Sequence, residues 1–483
     1  MNQTTIFDIM YPKYKITKPI RLIELFAGYG SQYLALKYLG ANVKHYKLCE
    51  WATKSIQAYN DLHIQDYFDY SGNLSDDNIL KVLIELGVSI NYNEPATREQ
   101  LKRQDFRKIY NNIIATNNLV NIQNVKGKDF KIVNKDQYDY IMTYSFPCQD
   151  LSLAGKGKGM ADTSTRSGML WEVERILNEL KELNQLPQVL LMENVPQVHG
   201  SDNVEHFNKW QLALENMGYK NYFQDLIATD YGIPQTRNRC FMVSILGDYS
   251  YSFPKPIPLK LKLKDLLESE VDEKYFLSDK FISCMTKENV SGYPRAKRFE
   301  QSIDKVNNQQ ISNTITTLEG QRDISTFICI KNATKKGYLE ATDGDGIDIS
   351  SRMEHHRGNV QKNKIQTLTT SGGNDRGVCI GTYQYSKSDN FMKGKDRLQL
   401  GKEVSDTLQT TQKEGICYND LRIRKLTPLE CFRLMGVKDE DYYKIAKNQS
   451  NSSLYHLAGD SIVVNVLMAI FKEVIKWNLK WMI

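Results

Sequence analysis

The stretch RLIELFAGYGSQYLALKYL, residues 21–39, decides the fold, because an apolar strand runs directly into a glycine-containing turn and then a helix. Positions 21–26 are rich in β-forming residues, and positions 31–39 form the helical part. Glycines after a strand let the backbone turn tightly and approach a ligand, and the helix N-terminus offers free N–H groups. The stretch therefore predicts the first strand–turn–helix unit of a nucleotide-type α/β sheet.

The alternation of strands and helices continues outward from this unit to residue 246. Five further strand candidates are apolar and rich in β-formers: VKHYKLC (43–49), YDYIMTYSF (138–146), QVLLMENV (188–195), FQDLIA (223–228) and RCFMVSIL (239–246). Helical stretches such as 168–183 lie between several of them. The pattern predicts a doubly wound α/β sheet of buried, parallel strands. Residues 60–135 interrupt this alternation with helices that have polar faces. The simplest interpretation is that this insertion is a surface excursion without a chemical role.

A Pro-rich junction, FPKPIPLKLK (253–262), marks a domain boundary. Beyond it Thr, Asn, Gly and Lys replace the apolar periodicity, and three short segments resemble one another: NTITTL (313–318), IQTLTT (365–370) and SDTLQTT (405–411). Thr-rich alternation favours strands, and the unequal spacings disfavour a solenoid. We expect three parts: a catalytic domain over 1–255, a smaller β-rich domain over 256–454, and a C-terminal segment over 455–483 whose helix, 461–477, returns to the catalytic domain.

Composition excludes several classes of protein. The 483 residues, 41% hydrophobic and 25% charged, are ordinary for a soluble protein of two or three domains. Neither an apolar run of membrane-spanning length nor a secretory signal is found, and the eight cysteines lack metal-ligand spacing. They indicate reduced thiols in the cytoplasm. A net charge of +6 favours a polyanionic partner only weakly.

The turn after the first strand has the features of a cofactor site. Glu50 ends the next strand, 22 positions after Gly28, close to the spacing of about 20 for a carboxylate that binds ribose hydroxyls. Trp51 follows, with a ring suited to stacking on a purine. Phe26, Gly28 and Gly30 complete the turn, which resembles an S-adenosylmethionine site. The third glycine of the dehydrogenase pattern is absent, because position 33 is Tyr, which disfavours a dehydrogenase. The alternative without a ligand is a tight turn beside a glutamate of the core.

A nucleophile is predicted where the strand at 138–146 ends. Cys148 then lies at the carboxyl edge of the sheet, where open α/β folds bind ligands. A single cysteine is usually a small buried hydrophobe, but the loop AGKGKG (154–159) is cationic, which favours a thiolate and phosphate contacts. Glu193 ends the neighbouring strand at the same edge. Arg237 and Arg239 alternate in an extended segment, which puts both guanidinium groups on one side.

The order of these motifs makes a family resemblance specific. The sequences FPCQ (146–149), ENVP (193–196) and QTRNR (235–239), following FAGYG (26–30), resemble the conserved series of DNA cytosine-5 methyltransferases. RKLTPLECFRLMG (424–436) and AGDSIVV (458–464) resemble the last two motifs of that family. The stretch without motifs, roughly 255–420, sits where the family carries its variable target recognition domain.

The resemblance implies a role for each catalytic candidate. Cys148 would attack C6 of a cytosine that has left the helix stack, and Glu193 would contact the N3/N4 edge of that base. Arg239 would hold O2, with Arg237 supporting the same pocket. S-adenosylmethionine would supply the methyl group.

The resemblance also implies a cofactor-binding set. Phe26, Gly28 and Gly30 would lie on the methionine and backbone side, Glu50 on the ribose and Trp51 on the adenine. Three further candidate contacts are Pro147, Leu170 and Ser461.

Three positions depart from the family pattern. Ser145 replaces the usual glycine before Phe-Pro-Cys, and Asp460 replaces the asparagine of the last motif. The Asp-Ile pair that reads the adenine amino group is best matched by Asn121 and Ile122. None of these departures involves the nucleophile.

The expected partner is double-stranded DNA. We expect a monomeric cytoplasmic protein that binds neither a membrane nor a metal. The sequence leaves open whether a cognate restriction endonuclease acts separately. The nearest rival is an RNA cytosine-5 methyltransferase of the same fold. A non-catalytic DNA-binding relative is a second rival, but it should have lost Cys148 or Glu193. An unrelated oxidoreductase is disfavoured by the missing third glycine.

Overall fold

The computed structural model describes residues 12–64, 68–147, 168–276, 312 and 421–475, with short strands between 327 and 401. Two compact units are present: Met1–Val271, Asp304–Thr326 and Leu426–Ile483 in the first, and Asp272–Ile303 and Phe327–Lys425 in the second. The second unit covers less of the chain than the span 256–454 expected from sequence, because residues 256–271, 304–326 and 426–454 belong to the first unit.

A six-stranded sheet organises the first unit, in the order β2-β1-β3-β4-β6-β5. Its strands are β1 Ile20–Leu25, β2 Val43–Cys49, β3 Asp139–Tyr144, β4 Val189–Asn194, β5 Tyr219–Ile227 and β6 Asn238–Leu246. The predicted α/β class with a central sheet is confirmed. β3 and β4 are buried at every position, which fits their largely apolar sequences.

One strand corrects the expectation of a parallel sheet. β6 pairs antiparallel with both β4 and β5, whereas β1 to β4 are parallel to one another. The connection from β5 to β6 contains only the short 3-10 helix Ala228–Tyr231. A parallel neighbour needs a crossover connection, usually through an α-helix, so this short link returns the chain in the opposite direction.

Eleven α-helices lie within the described residues: α1 Ser31–Tyr38, α2 Thr53–His63, α3 Asp76–Leu86, α4 Arg98–Lys102, α5 Phe106–Ala115, α6 Met169–Glu182, α7 Val204–Asn216, α8 Pro428–Leu434, α9 Asp439–Ala446, α10 Asn451–Asp460 and α11 Val464–Val474. Short 3-10 helices occupy Ile122–Asn124, Gly127–Phe130, Pro196–His199, Leu263–Leu266 and Glu273–Tyr275. The helices predicted near 31–39 and 168–183 are confirmed as α1 and α6.

The insertion after β2 is an integral layer of the first unit, so its interpretation as a surface excursion is wrong. Helices α3, α4 and α5 bury their own apolar cluster, which includes Ile79, Leu83, Leu101 and Ile113. Ile56 of α2 belongs to the same cluster, so the insertion packs onto the main fold. Many of the polar residues lie on the outer faces of these helices, although Asn111 and Asn112 of α5 are buried.

The C-terminal helix α11 contacts α1 within the first unit. By length and composition alone, the stretch Asn451–Val474 is apolar enough to cross a membrane. However, 72% of its most apolar window is buried within the protein, which is typical of a core helix.

The second unit contains short antiparallel strand pairs. Its strands are β7 Phe327–Lys331, β8 Gly346–Asp348, β9 Val360–Gln361, β10 Arg376–Val378, β11 Thr382–Tyr385, β12 Leu398–Gly401 and β13 Leu421–Lys425. β13 pairs with β7, β11 with β12, and β8 with both β9 and β10. The Thr-rich segments 313–318, 365–370 and 405–411 lie outside the described residues.

A carboxyl group is buried in the middle of the sheet. Glu24 of β1 has no exposed surface, and its carboxylate accepts hydrogen bonds from the Tyr33 backbone N–H at 3.1 Å and the Tyr59 hydroxyl at 2.6 Å. Burial raises the pKa of Glu24 from 4.5 to about 7, because these two donors offset only part of the lost hydration.

This pKa shift predicts a pH-dependent stability. The stabilising contribution of protonated Glu24 is complete below pH 4.5 and is lost as the pH rises through about 7, because the unfolded chain releases the proton first. The full contribution amounts to about 3.5 kcal/mol at roughly 1.4 kcal/mol per pKa unit, and about 2.5 kcal/mol of it is lost between pH 5 and pH 8. The stability of Glu24→Gln, measured by urea unfolding, should therefore fall less between these pH values than that of wild type, by about 2.5 kcal/mol. Exposed Glu205→Gln is the control, and an unchanged slope in Glu24→Gln would refute the assignment.

Candidate active site

Parallel register aligns the ends of four strands at one edge of the sheet. Leu25 of β1 is level with Cys49 of β2 and with Tyr144 of β3, and Tyr144 is level with Met192 of β4. The residues that come next are Phe26, Glu50, Ser145 and Glu193. The side chain of Ser145, which replaces the usual family glycine, donates to the Phe26 carbonyl at 3.5 Å and links two of these strand ends.

The turn after β1 has a left-handed backbone at three positions. Phe26, Gly28 and Gly30 have φ angles of 60°, 56° and 81°. A Cβ atom on Gly30 would lie 2.5 Å from side-chain atoms of Tyr59 and His63, so only glycine fits there. A Cβ atom on Gly28 would meet nothing within 4 Å, which leaves open space beside the backbone.

Glu50 faces this turn, as its spacing from Gly28 predicts. The buried carboxylate accepts hydrogen bonds from the Gly28 N–H at 2.9 Å and the Ala52 N–H at 2.8 Å. Each oxygen accepts one of these bonds and retains capacity for another donor. Burial raises the pKa of Glu50 to about 7, and the charge of Asp460 contributes to the increase.

Asn118 positions Glu50, and no sequence motif pointed to it. Its side-chain amide donates to the Glu50 carbonyl at 2.8 Å, and its oxygen accepts the Glu50 N–H at 3.0 Å. The neighbouring Leu119 N–H donates to the carbonyl of Leu48 on β2 at 2.8 Å. Trp51, the predicted adenine contact, is half-buried against the apolar cluster of the insertion.

The other cofactor candidates occupy more buried positions. The Asn121 side chain accepts the Gln123 N–H at 3.0 Å and begins a 3-10 helix. Ile122 and Leu170 belong to the main hydrophobic core, and Leu170 is fully buried. Pro147 is half-buried at the end of the segment that follows β3. Cofactor contacts of these four residues stay predictions.

Glu193 and Arg239 form an ion pair at the predicted catalytic edge. The Arg239 Nε lies 3.3 Å from the Glu193 Oε1. Burial raises the pKa of Glu193, while the positive charges of Arg239 and Arg237 lower it by less. Nearby Asn194 donates from its amide to the Phe146 carbonyl at 3.0 Å, which fixes β4 to the chain that leads from β3 toward Cys148. Cys148 and the cationic loop 154–159 lie outside the described residues.

Arg237 connects the sheet to the last sequence motif. Its buried Nη2 donates to the carbonyls of Gly459 at 3.0 Å and Ser461 at 2.8 Å. The hydroxyl of Tyr29 donates to the Ser461 Oγ at 3.1 Å. The turn at Ser461 is therefore held against both the turn that follows β1 and the residue that precedes β6.

Asp460 lies beside this turn with a half-exposed side chain. Its carboxylate contacts the His456 Nδ1 at 3.1 Å. The charge of Asp460 raises the pKa values of both Glu50 and Glu193, so Asp460 lies within electrostatic range of each of them. Glu50 and Glu193 themselves follow strands whose ends are aligned at one edge of the sheet.

Comparison with known proteins agrees with this arrangement. Residues 96–476 match the family model of the C-5 cytosine-specific DNA methylase. The chain belongs to this family. The resemblance predicted from the sequence motifs is thereby confirmed.

Two curated relatives of the family are similar in sequence. The type II methyltransferase M2.ScrFI of Lactococcus lactis subsp. cremoris is 30% identical over 464 residues, which cover 95% of this chain and 99% of that protein. The orphan methyltransferase M.SssI of Spiroplasma monobiae is 36% identical over 243 residues, which cover 48% of this chain and 61% of that protein. Among solved structures, the Entamoeba histolytica methyltransferase EhMeth has a similar fold, with a TM-score of 0.53, 13% identity, and coverage of 95% of this chain and 98% of that one.

Arg237 should contribute strongly to the stability of the fold. Arg237→Ala leaves two buried carbonyl groups without their donor, and we expect the free energy of unfolding in urea to fall by about 3 kcal/mol. Arg98→Ala is the matched control, because its ion pair with Asp77 is exposed and is worth less than about 1 kcal/mol. Equal losses in the two variants would contradict the role assigned to Arg237.

Proposed function

We propose that this chain transfers a methyl group from S-adenosylmethionine to C5 of cytosine in double-stranded DNA, with Cys148 as the nucleophile. The observation that carries the proposal is the alignment of Glu50 and Glu193 on either side of the strand that leads to Cys148. In this proposal the turn at residues 26–30 binds the cofactor, and the ion pair of Glu193 and Arg239 at the same edge binds the base that receives the methyl group. The names and family of the relatives support DNA as the substrate.

The residues at the end of β1 and β2 fit S-adenosylmethionine. Glu50 is a buried carboxylate with remaining acceptor capacity, which suits the two hydroxyls of a ribose. The open space beside Gly28 admits a ligand close to the backbone. The site also includes Phe26, Gly30 and Trp51. The further proposed contacts are Asn121, Ile122, Pro147, Leu170, Asp460 and Ser461. The cofactor supplies an electrophilic methyl group when bound.

Cys148 makes C5 reactive. Its thiolate forms a bond to C6 of the cytosine, and the electron pair of the C5–C6 double bond becomes available at C5. After C5 has gained the methyl group, it loses its proton, and the C6–sulfur bond breaks to restore the double bond. The net change is replacement of the C5 hydrogen, and the thiolate is regenerated.

Glu193 and Arg239 hold the base during this addition. Burial raises the pKa of Glu193, so its carboxyl group retains a proton more readily than an exposed glutamate. A proton or hydrogen bond at N3 stabilises the negative charge that thiolate addition pushes into the ring. In this proposal Arg239, whose Nε lies 3.3 Å from the Glu193 Oε1, binds the adjacent O2. Arg237, which donates to the Ser461 carbonyl, supports the same pocket from the buried side.

The target base must leave the duplex to reach these groups, at a cost of a few kcal/mol. We propose that the region 256–454, centred on the second compact unit, reads the DNA sequence, because the recognised motifs lie outside most of it. Short polar side chains discriminate base edges, and lysines bind phosphates. We further propose that the enzyme is monomeric and cytoplasmic, needs no metal and does not bind a membrane. Any cognate restriction endonuclease would act separately from it.

Duplex DNA that carries 5-fluorocytosine tests the nucleophile directly. Fluorine cannot leave C5 as a proton does, so the enzyme should remain attached through Cys148. We expect a denaturation-resistant complex that requires S-adenosylmethionine and is absent in Cys148→Ser. Cys240→Ser changes a cysteine that is buried in β6; it is the control and should retain the adduct. An adduct that persists in Cys148→Ser would overturn the assignment.

A further inference from the structure

The insertion between β2 and β3 contacts the end of β2 at two points. Ser89 lies beside the residues after Glu50, since its N–H donates to the Trp51 carbonyl at 2.8 Å and its carbonyl accepts the Thr53 N–H at 2.9 Å. Asn118, near the other end of the insertion, holds the backbone of Glu50 itself. The segment that follows Ser89 is therefore fixed next to the proposed ribose-binding carboxylate.

Tyr92 extends from this segment to helix α10. Its ring stacks on the imidazole of His456, with centroids 4.1 Å apart and planes 20° apart. Its φ of 63° is left-handed, which costs roughly 1 kcal/mol for a residue with a Cβ atom. The Asn91 side chain stabilises this turn by accepting the N–H groups of Asn93 at 3.0 Å and Glu94 at 3.2 Å.

The stacked pair lies beside the carboxylate of Asp460. The Nδ1 of His456 is 3.1 Å from the Oδ2 of Asp460. Burial raises the pKa of the Tyr92 phenol, and the negative charges of Glu50 and Asp460 raise it further. The phenol is therefore neutral at physiological pH and within electrostatic range of Glu50.

We propose that the Tyr92–His456 stack forms the outer wall of the ribose pocket, with Tyr92 as a cofactor-binding residue that the insertion supplies. This inference rests on the cofactor site proposed above. An aromatic face packs well against the C–H surface of a ribose. It also keeps water away from the hydrogen bonds between the ribose hydroxyls and Glu50, which strengthens those bonds.

Calorimetry on the full-length chain tests this wall. Tyr92→Ala should raise the Kd values of S-adenosylmethionine and S-adenosylhomocysteine by the same factor, roughly tenfold, because the lost contact is remote from the methyl group. The KM for the cofactor should rise equally, and kcat at saturation should stay within about twofold. Tyr92→Phe keeps the ring and should bind almost as wild type does. Tyr70→Ala removes an exposed aromatic ring from the same insertion and should change nothing.

His456→Ala removes the stack from its other side. It should weaken cofactor binding in the same direction, and the double variant should lose less than the product of the two single effects, because the residues form one wall. If wild type binds the cofactor normally and Tyr92→Ala binds it with unchanged affinity, the proposed role of Tyr92 is wrong, while the proposed cofactor site stands. If Tyr92→Ala fails to fold by circular dichroism, unchanged affinity in His456→Ala overturns it. A wild-type chain that binds no S-adenosylmethionine would overturn the cofactor site and this inference with it.

Discussion

Parallel pairing of β1 with β2 and β3 is the constraint on which the site depends. Strands that run in one direction end at one edge, and the register here places Leu25 level with Cys49 and Tyr144. The chain segments that follow these strands must therefore share a small space. A slip by one residue would also turn every buried side chain of the slipped strand to the opposite face, so the hydrophobic core fixes the positions of the polar groups.

Buried polar contacts then join distant parts of the chain to this edge. Arg237 binds the carbonyl of Ser461, which is 224 positions away in sequence, and Tyr29 reaches the hydroxyl of the same residue. Burial of these groups is unfavourable unless each finds a partner, so these contacts stabilise the position of the C-terminal motif against the sheet. Buried hydrogen bonds thereby join the turn after β1, the residue before β6 and the last motif.

Local patterns predicted much of this architecture. Strands β1 to β4, the glycine turn and the spacing that brings Glu50 to Gly28 were readable because apolar runs and turn residues act over short distances. The direction of β6 could not be predicted, because the sequence of an apolar strand does not show whether the strand runs parallel or antiparallel to its neighbours. Long-range contacts were equally hidden: neither Asn118 nor the stack of Tyr92 on His456 belongs to a motif, and both depend on how the insertion packs. The predicted cofactor roles of Asn121 and Leu170 stay predictions.

Bisulfite sequencing tests the central claim most directly, namely that this family member methylates cytosine C5 in DNA. DNA and total RNA are taken from cells that lack cytosine methylation and express either the wild-type chain or Cys148→Ala. The account predicts unconverted cytosines at one recurring sequence in the DNA of the wild-type culture, full conversion in the variant, and no new signal in the RNA. Fully converted DNA in the wild-type culture, methylation confined to RNA, or equal methylation by Cys148→Ala would contradict it.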